Sequence, residues 1–139
     1  MDGACCYAYT DGAARGNPGP AACAFIIVDA WGILLADEAR VLGRKTNNEA
    51  EYHAVIDALK KASSLSCRQI VVHSDSELVI RQIKGEYEVR KPHLRELCVE
   101  VKGLERLFES VQFVNLPRED PWIRIVDRLC NEALDSGNT

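Results

Sequence analysis

The sequence predicts an α/β fold in which helices pack on a five-stranded mixed sheet whose first three strands are antiparallel. Three observations carry that prediction. Apolar, strand-like segments crowd the first third of the chain, an amphipathic helix with a capping box follows them, and the remainder alternates strand, helices, strand and helix.

Ala4 to Thr10 has the two-residue period of a strand, with Tyr7, Tyr9 and Asp11 on one face and Cys6, Ala8 and Thr10 on the other. Asp11 is expected to close this strand, because a turn dense in glycine and proline, including Gly16-Asn17-Pro18-Gly19, comes next. Ala21 to Asp29 and Ile33 to Leu42 are two further apolar segments, and Asp29-Ala30-Trp31-Gly32 between them is a hairpin signal. Asn47 to Ser63 is a helix: Tyr52, Val55, Ile56 and Leu59 recur at helical spacing, and Thr46 with Glu49 forms a capping box. Gln69 to Ser74 is a short strand, followed by a helix from Ser76 to Lys84. Glu86 to Lys91 is a loop ending before Pro92, and Leu94 to Glu109 is helical with Leu94, Leu97, Val101, Leu104 and Leu107 or Phe108 on one side. Val111 to Leu116 supplies the fifth strand. Asp120 as N-cap and Pro121 at the first helical position open a last helix to Asp135, with Val126, Leu129, Cys130 and Ala133 facing inward.

At 139 residues the chain is expected to be one domain, residues 1–139, with one active site and no room for a separate substrate-binding module. It has no apolar run of membrane-spanning length and no basic-then-apolar leader, so a place in the cytoplasm, away from membranes, is expected; separately, the chain is expected to be a monomer. The six cysteines include no Cys-x-x-Cys pair and have no clustered histidines beside them, which argues against zinc. They are expected to be reduced core residues, a bridge such as Cys67 to Cys130 being the alternative. The net charge of −4 does not suit a nucleic-acid binder, yet from Arg40 to Arg95 eleven Lys and Arg face seven Asp and Glu, so a backbone-binding surface fits the central third.

Four carboxylates stand where strands end or helices begin. They are Asp11 in Tyr9-Thr10-Asp11-Gly12, Glu51 in Thr46-Asn47-Asn48-Glu49-Ala50-Glu51, Asp75 in Val72-His73-Ser74-Asp75-Ser76-Glu77, and Asp127 in Val126-Asp127-Arg128-Leu129-Cys130-Asn131-Glu132. Taken singly, a strand-end aspartate is a turn former and Asp127 an exposed helix acid. Taken together, four acids suit two magnesium ions, which prefer oxygen ligands and keep several waters. Helical periodicity leaves both Glu49 and Glu51 at the border of the apolar face. Glu49 has a capping role, whereas Glu51 follows the ridge of Ala54, Ala58 and Ala62 that lets the helix approach the sheet.

These four motifs, in this order, resemble the type 1 ribonuclease H family from about Tyr7 to Leu134. The resemblance implies the fold of that family and a metal-dependent endonuclease that hydrolyses the RNA strand of RNA–DNA hybrids to 5′-phosphate and 3′-hydroxyl ends. It implies Asp11, Glu51, Asp75 and Asp127 as ligands of two Mg²⁺ or Mn²⁺ ions, Asp11 bridging them, and it decides for Glu51 over Glu49. It also implies that Asn17, Asn47, Asn48 and Glu77 touch the hybrid and that Thr46 anchors a DNA phosphate. Two features depart from the family, and Trp122-Ile123-Arg124-Ile125-Val126 also replaces the polar residues commonly seen before Asp127. The stretch from Gly85 to Arg95 is short and mixed in charge where some members carry a long basic protrusion, so substrate affinity is expected to be modest and salt-dependent. The loop from Leu116 to Asp120 lacks the histidine of some members, and Arg118 is the candidate in its place. A non-catalytic binding module and a DNA-directed nuclease of the same fold are the competing readings.

Overall fold

A computed structural model describes residues 4–137. Its elements run β1 (Cys5–Ala14), β2 (Gly19–Val28), β3 (Leu34–Lys45), α1 (Asn47–Ser64), β4 (Gln69–Ser74), α2 (Glu77–Ile83), α3 (Pro92–Glu105), β5 (Ser110–Asn115) and α4 (Pro121–Gly137). The sheet order is β3-β2-β1-β4-β5, with β1, β2 and β3 antiparallel and β4 parallel to both β1 and β5. The α/β expectation and the element order both hold.

Alternation along the strands divides the core in two. Cys6, Ala8, Phe25, Ile27, Ile70 and Val72 face α1, α2 and α3, while Ala22, Ala24, Ile26 and Val28 face Val126, Cys130 and Leu134 of α4. The sheet is thus sandwiched between helical layers, and α4 covers β1, β2 and β3. Between β2 and β3, Asp29 Oδ1 accepts from the N–H groups of Trp31 and Ile33, and Gly32 takes the positive φ that the turn requires.

Three expectations change. Strand β1 does not close at Asp11 but runs to Ala14, because β2 continues to pair with it through Ala14 and Ala21. Helix α3 begins at Pro92, which suits the first turn, and ends at Glu105; beyond it Leu107 is exposed, whereas Phe108 packs on the core. The third concerns the cysteines. Cys6 and Cys67 form a disulfide, leaving Cys5, Cys23, Cys98 and Cys130 free, so neither an all-reduced set nor a Cys67 to Cys130 pair is present. The cause is topological: the parallel ladder sets Cys6 opposite Ile70, and Cys67 lies just before β4 begins.

The disulfide joins residues 61 apart in sequence. Constraining a loop of that length in the unfolded chain contributes about 4 kcal/mol in the chain-entropy treatment. Urea unfolding with and without a phosphine reductant is expected to differ by an amount of this order. Coincident curves, with reduction verified by thiol titration, would remove the bridge from any account of stability.

Candidate active site

The cleft forms where β1 and β4 part. Their ladder ends at the pair Tyr9 and His73, and Asp11 and Asp75 each lie two residues further along, so the same pleat carries both acids to the same end of the sheet. Asp75 follows the last residue of β4 and precedes Ser76, whose side chain caps α2. Glu51 arrives from the other layer on α1. That helix starts where the sequence places it, with Thr46 Oγ1 accepting from the Glu49 N–H and Glu49 Oε1 accepting from the Thr46 N–H at 2.9 Å. Glu49 is thereby occupied, and Glu51 turns inward and accepts a hydrogen bond from the Gly12 N–H.

Asp11, Glu51 and Asp75 bring one carboxylate oxygen each to within 4.8 Å of one another. Asp127, exposed on the second turn of α4, joins them in lining a cleft of about 410 Å³, together with Asn47, Asn48 and Arg118. Asp11 and Glu51 are 6% and 7% exposed, and buried Asp11 Oδ2 has no hydrogen-bond partner. Burial, reinforced by the charges of Asp75 and Asp127, pushes the Asp11 carboxyl up to about 8. Burial and the charges of Asp11 and Asp75 push Glu51 well above the usual carboxylate range, against the opposing bond from Gly12. An orphaned buried oxygen, an all-oxygen donor set and acids that repel one another fit a hard divalent cation, whose charge would satisfy the oxygen and offset the repulsion.

Some residues implied for substrate contact have structural partners. Asn17 Oδ1 accepts from the Asn47 N–H at 2.9 Å, and Asn47 Oδ1 accepts from the Ala14 N–H at 2.8 Å, which clamps the β1–β2 turn to the head of α1. The Thr46 hydroxyl belongs to the capping box. Asn48 lines the cleft, and its amide has no hydrogen bond among the described residues. Glu77 points elsewhere: it is exposed and pairs with Arg81 at 3.0 Å on the same helix. Arg118 reaches from the loop after β5 to within 3.6 Å of Asp75 Oδ2 while staying 88% exposed.

Gly12 is the contributor that residue chemistry alone overlooked. A Cβ there would lie 2.2 Å from the Ala50 carbonyl carbon and 2.4 Å from the Glu51 nitrogen, so its bare backbone is what admits α1 and orients Glu51. The signal in the sequence is the Asp11-Gly12 pair, which by itself marks a turn, whereas β1 passes through it to Ala14.

The sequence pattern of the Reverse transcriptase-like family matches residues 9–133. Ribonuclease HI of Halobacterium salinarum is 40% identical over 129 residues, which span 93% of this chain and 64% of that protein. The chain spans about a third (34%) of the mycobacterial relatives that it also matches. Among solved structures, RNase H1 from the same archaeon superposes with a TM-score of 0.91 at 39% identity, covering 95% of this chain and 98% of that one. LC11-RNase H1 in complex with an RNA/DNA hybrid gives a TM-score of 0.90 at 37% identity, covering 96% and 99%.

Proposed function

Because the chain belongs to the type 1 ribonuclease H family, we propose that it is an endoribonuclease that hydrolyses the RNA strand of RNA–DNA hybrids, leaving 5′-phosphate and 3′-hydroxyl ends. The observation that carries this reading is the convergence of Asp11, Glu51 and Asp75 around an unpartnered buried oxygen. Asp11, Glu51, Asp75 and Asp127 are its proposed ligands for Mg²⁺ or Mn²⁺, two ions with substrate bound. Such ions supply a nucleophilic water at neutral pH and neutralise charge on the scissile phosphate.

The chain's own groups have separable tasks in this reading. The Gly12 N–H holds Glu51 in its inward orientation. Asn48 offers its amide to the hybrid from the cleft wall, and the clamped turn carries Asn17 and Asn47 close by. A hybrid is told from either pure duplex by 2′-hydroxyls on one strand alone, which polar groups beside the minor groove read. Thr46 meets a phosphate through the head of α1, and Glu77 reaches the hybrid on leaving Arg81. Arg118, at the mouth beside Asp75, stabilises charge on the leaving oxygen in place of a loop histidine. No helix among the described residues is long and apolar enough to cross a membrane. The reading is completed by residues 1–139 acting as one catalytic domain, as a monomer and in the cytoplasm.

End-labelled RNA annealed to DNA, incubated with Mg²⁺ or Mn²⁺ at neutral pH, tests the proposal. Internal cleavage to 3′-hydroxyl ends supports it. Binding without cleavage favours a module that has lost its chemistry, and cutting of plain duplex DNA favours a DNA-directed nuclease. Arg118→Ala is expected to lower kcat about 10-fold with an unchanged melting temperature, since its exposed side chain adds little to stability. Unchanged kcat would return Arg118 to the solvated surface.

A further inference from the structure

Three of the four cleft acids stand on neighbouring elements, and each of those elements carries a flat ring behind its acid. His73 precedes Asp75 by two residues, Tyr9 precedes Asp11 by two, and Trp122 precedes Asp127 by five. The rings form one stack. Tyr9 lies between His73, at 4.5 Å and 9° between planes, and Trp122, at 5.4 Å and 21°.

The placement of this stack matters because backbone pairing stops there. Tyr9 and His73 are the last residue pair of the β1–β4 ladder, so Asp11 and Asp75 lie beyond it, and α4 meets the sheet through side chains. Up to that pair the ladder itself sets the β1–β4 spacing; beyond it, and between α4 and the sheet, packed side chains set it, and Trp122 stacked on Tyr9 fills the α4 gap with a fixed thickness. Both ends of the stack are pinned. His73 Nδ1 lies 2.9 Å from the Ala8 carbonyl oxygen, which fixes it as the protonated donor, and Asp120 Oδ1 accepts from the Trp122 and Ile123 N–H groups at 2.9 and 3.2 Å.

We infer that the His73, Tyr9 and Trp122 rings form a spacer that sets the separation of Asp75, Asp11 and Asp127, and with it the affinity of the cleft for a divalent ion. They are positioning residues and touch no substrate. The inference rests on the carboxylate reading above.

The test is calorimetric Mn²⁺ binding, with kcat and KM on a hybrid, for Trp122→Ala, Trp122→Phe, His73→Leu and His73→Phe. Removing a ring is expected to weaken Mn²⁺ binding about 10-fold and lower kcat about 100-fold while leaving KM unchanged. The phenylalanine variants are expected to recover wild-type affinity. Wild-type Mn²⁺ affinity in both Trp122→Ala and His73→Leu overturns the spacer, and so does a rise in KM alone, which would mark a substrate surface. Should Trp122→Ala not fold, His73→Leu against His73→Phe decides. Wild-type protein that binds no Mn²⁺ overturns the carboxylate reading and the spacer together, whereas failure of the spacer alone leaves wild-type binding intact.

Discussion

Asp11→Asn is expected to lower kcat on a hybrid by at least about 10³-fold and, without metal above pH 7, to unfold at higher denaturant concentration than wild type. The first effect follows from charge: an amide keeps the shape but loses the anion that holds a cation where negative charge builds on the phosphate. The second follows from linkage. Burial and the charges of Asp75 and Asp127 raise the folded-state carboxyl to about 8, whereas an unfolded aspartate titrates near 3.9. Between those values the folded protein holds a proton that the unfolded chain has lost. Stability from this group is therefore complete below about pH 4 and declines as pH rises through 8, by up to ~1.4 kcal/mol per pH unit. Glu51, raised in the same way, titrates with it as a pair. Asparagine carries no such proton, so the slope flattens. Urea melts in chelator at pH 5 and pH 8 test the sign, and Mg²⁺ should restore wild type at pH 8 but not the variant. Retained cleavage would remove Asp11 from the ligands, and an unchanged slope would show that its carboxylate is accommodated without a cation.

Gly12→Ala is expected to cost at least about 3 kcal/mol of stability and most of the activity. The added methyl would meet the Ala50 carbonyl carbon at 2.2 Å, its oxygen at 2.4 Å and the Glu51 nitrogen at 2.4 Å, all backbone atoms of α1. Unlike a side-chain tip, helix backbone cannot rotate aside, so α1 must retreat from β1. That retreat breaks the Gly12 N–H bond to Glu51 and uncovers Ala50, Ala54 and Ala58, which are wholly buried. Thermal melts and hybrid cleavage report the two effects separately. Wild-type stability would mean that α1 and β1 are less tightly apposed than their geometry states.

Much of this was legible from residues. The Thr46 and Glu49 capping box, the Asp120-Pro121 start and the apolar periods fixed elements whose bounds shifted by only a few residues, because caps and periodicity act locally. The four motifs likewise carry the four acids that line one cleft. Other features were not legible, for reasons that are equally physical. The glycine and proline after Asp11 mark a strand end there, yet pairing with β2 carries the strand to Ala14. The resemblance marks Asn17 and Asn47 only as hybrid contacts, whereas the fold shows that each also accepts a backbone N–H that clamps the β1–β2 turn to α1. The Cys6 to Cys67 bridge depends on which strands are neighbours, and spacing carries no record of that.

By itself, then, the sequence determined the elements, their order and the chemical identity of the acids, since those follow from side-chain period, capping and residue type. Tertiary structure alone decided which oxygens meet, which of them is left without a partner, that Gly12 admits α1, and that three rings stack behind the acids. Each of these depends on contacts between segments far apart in the chain, and their separations are set by packing across the sheet.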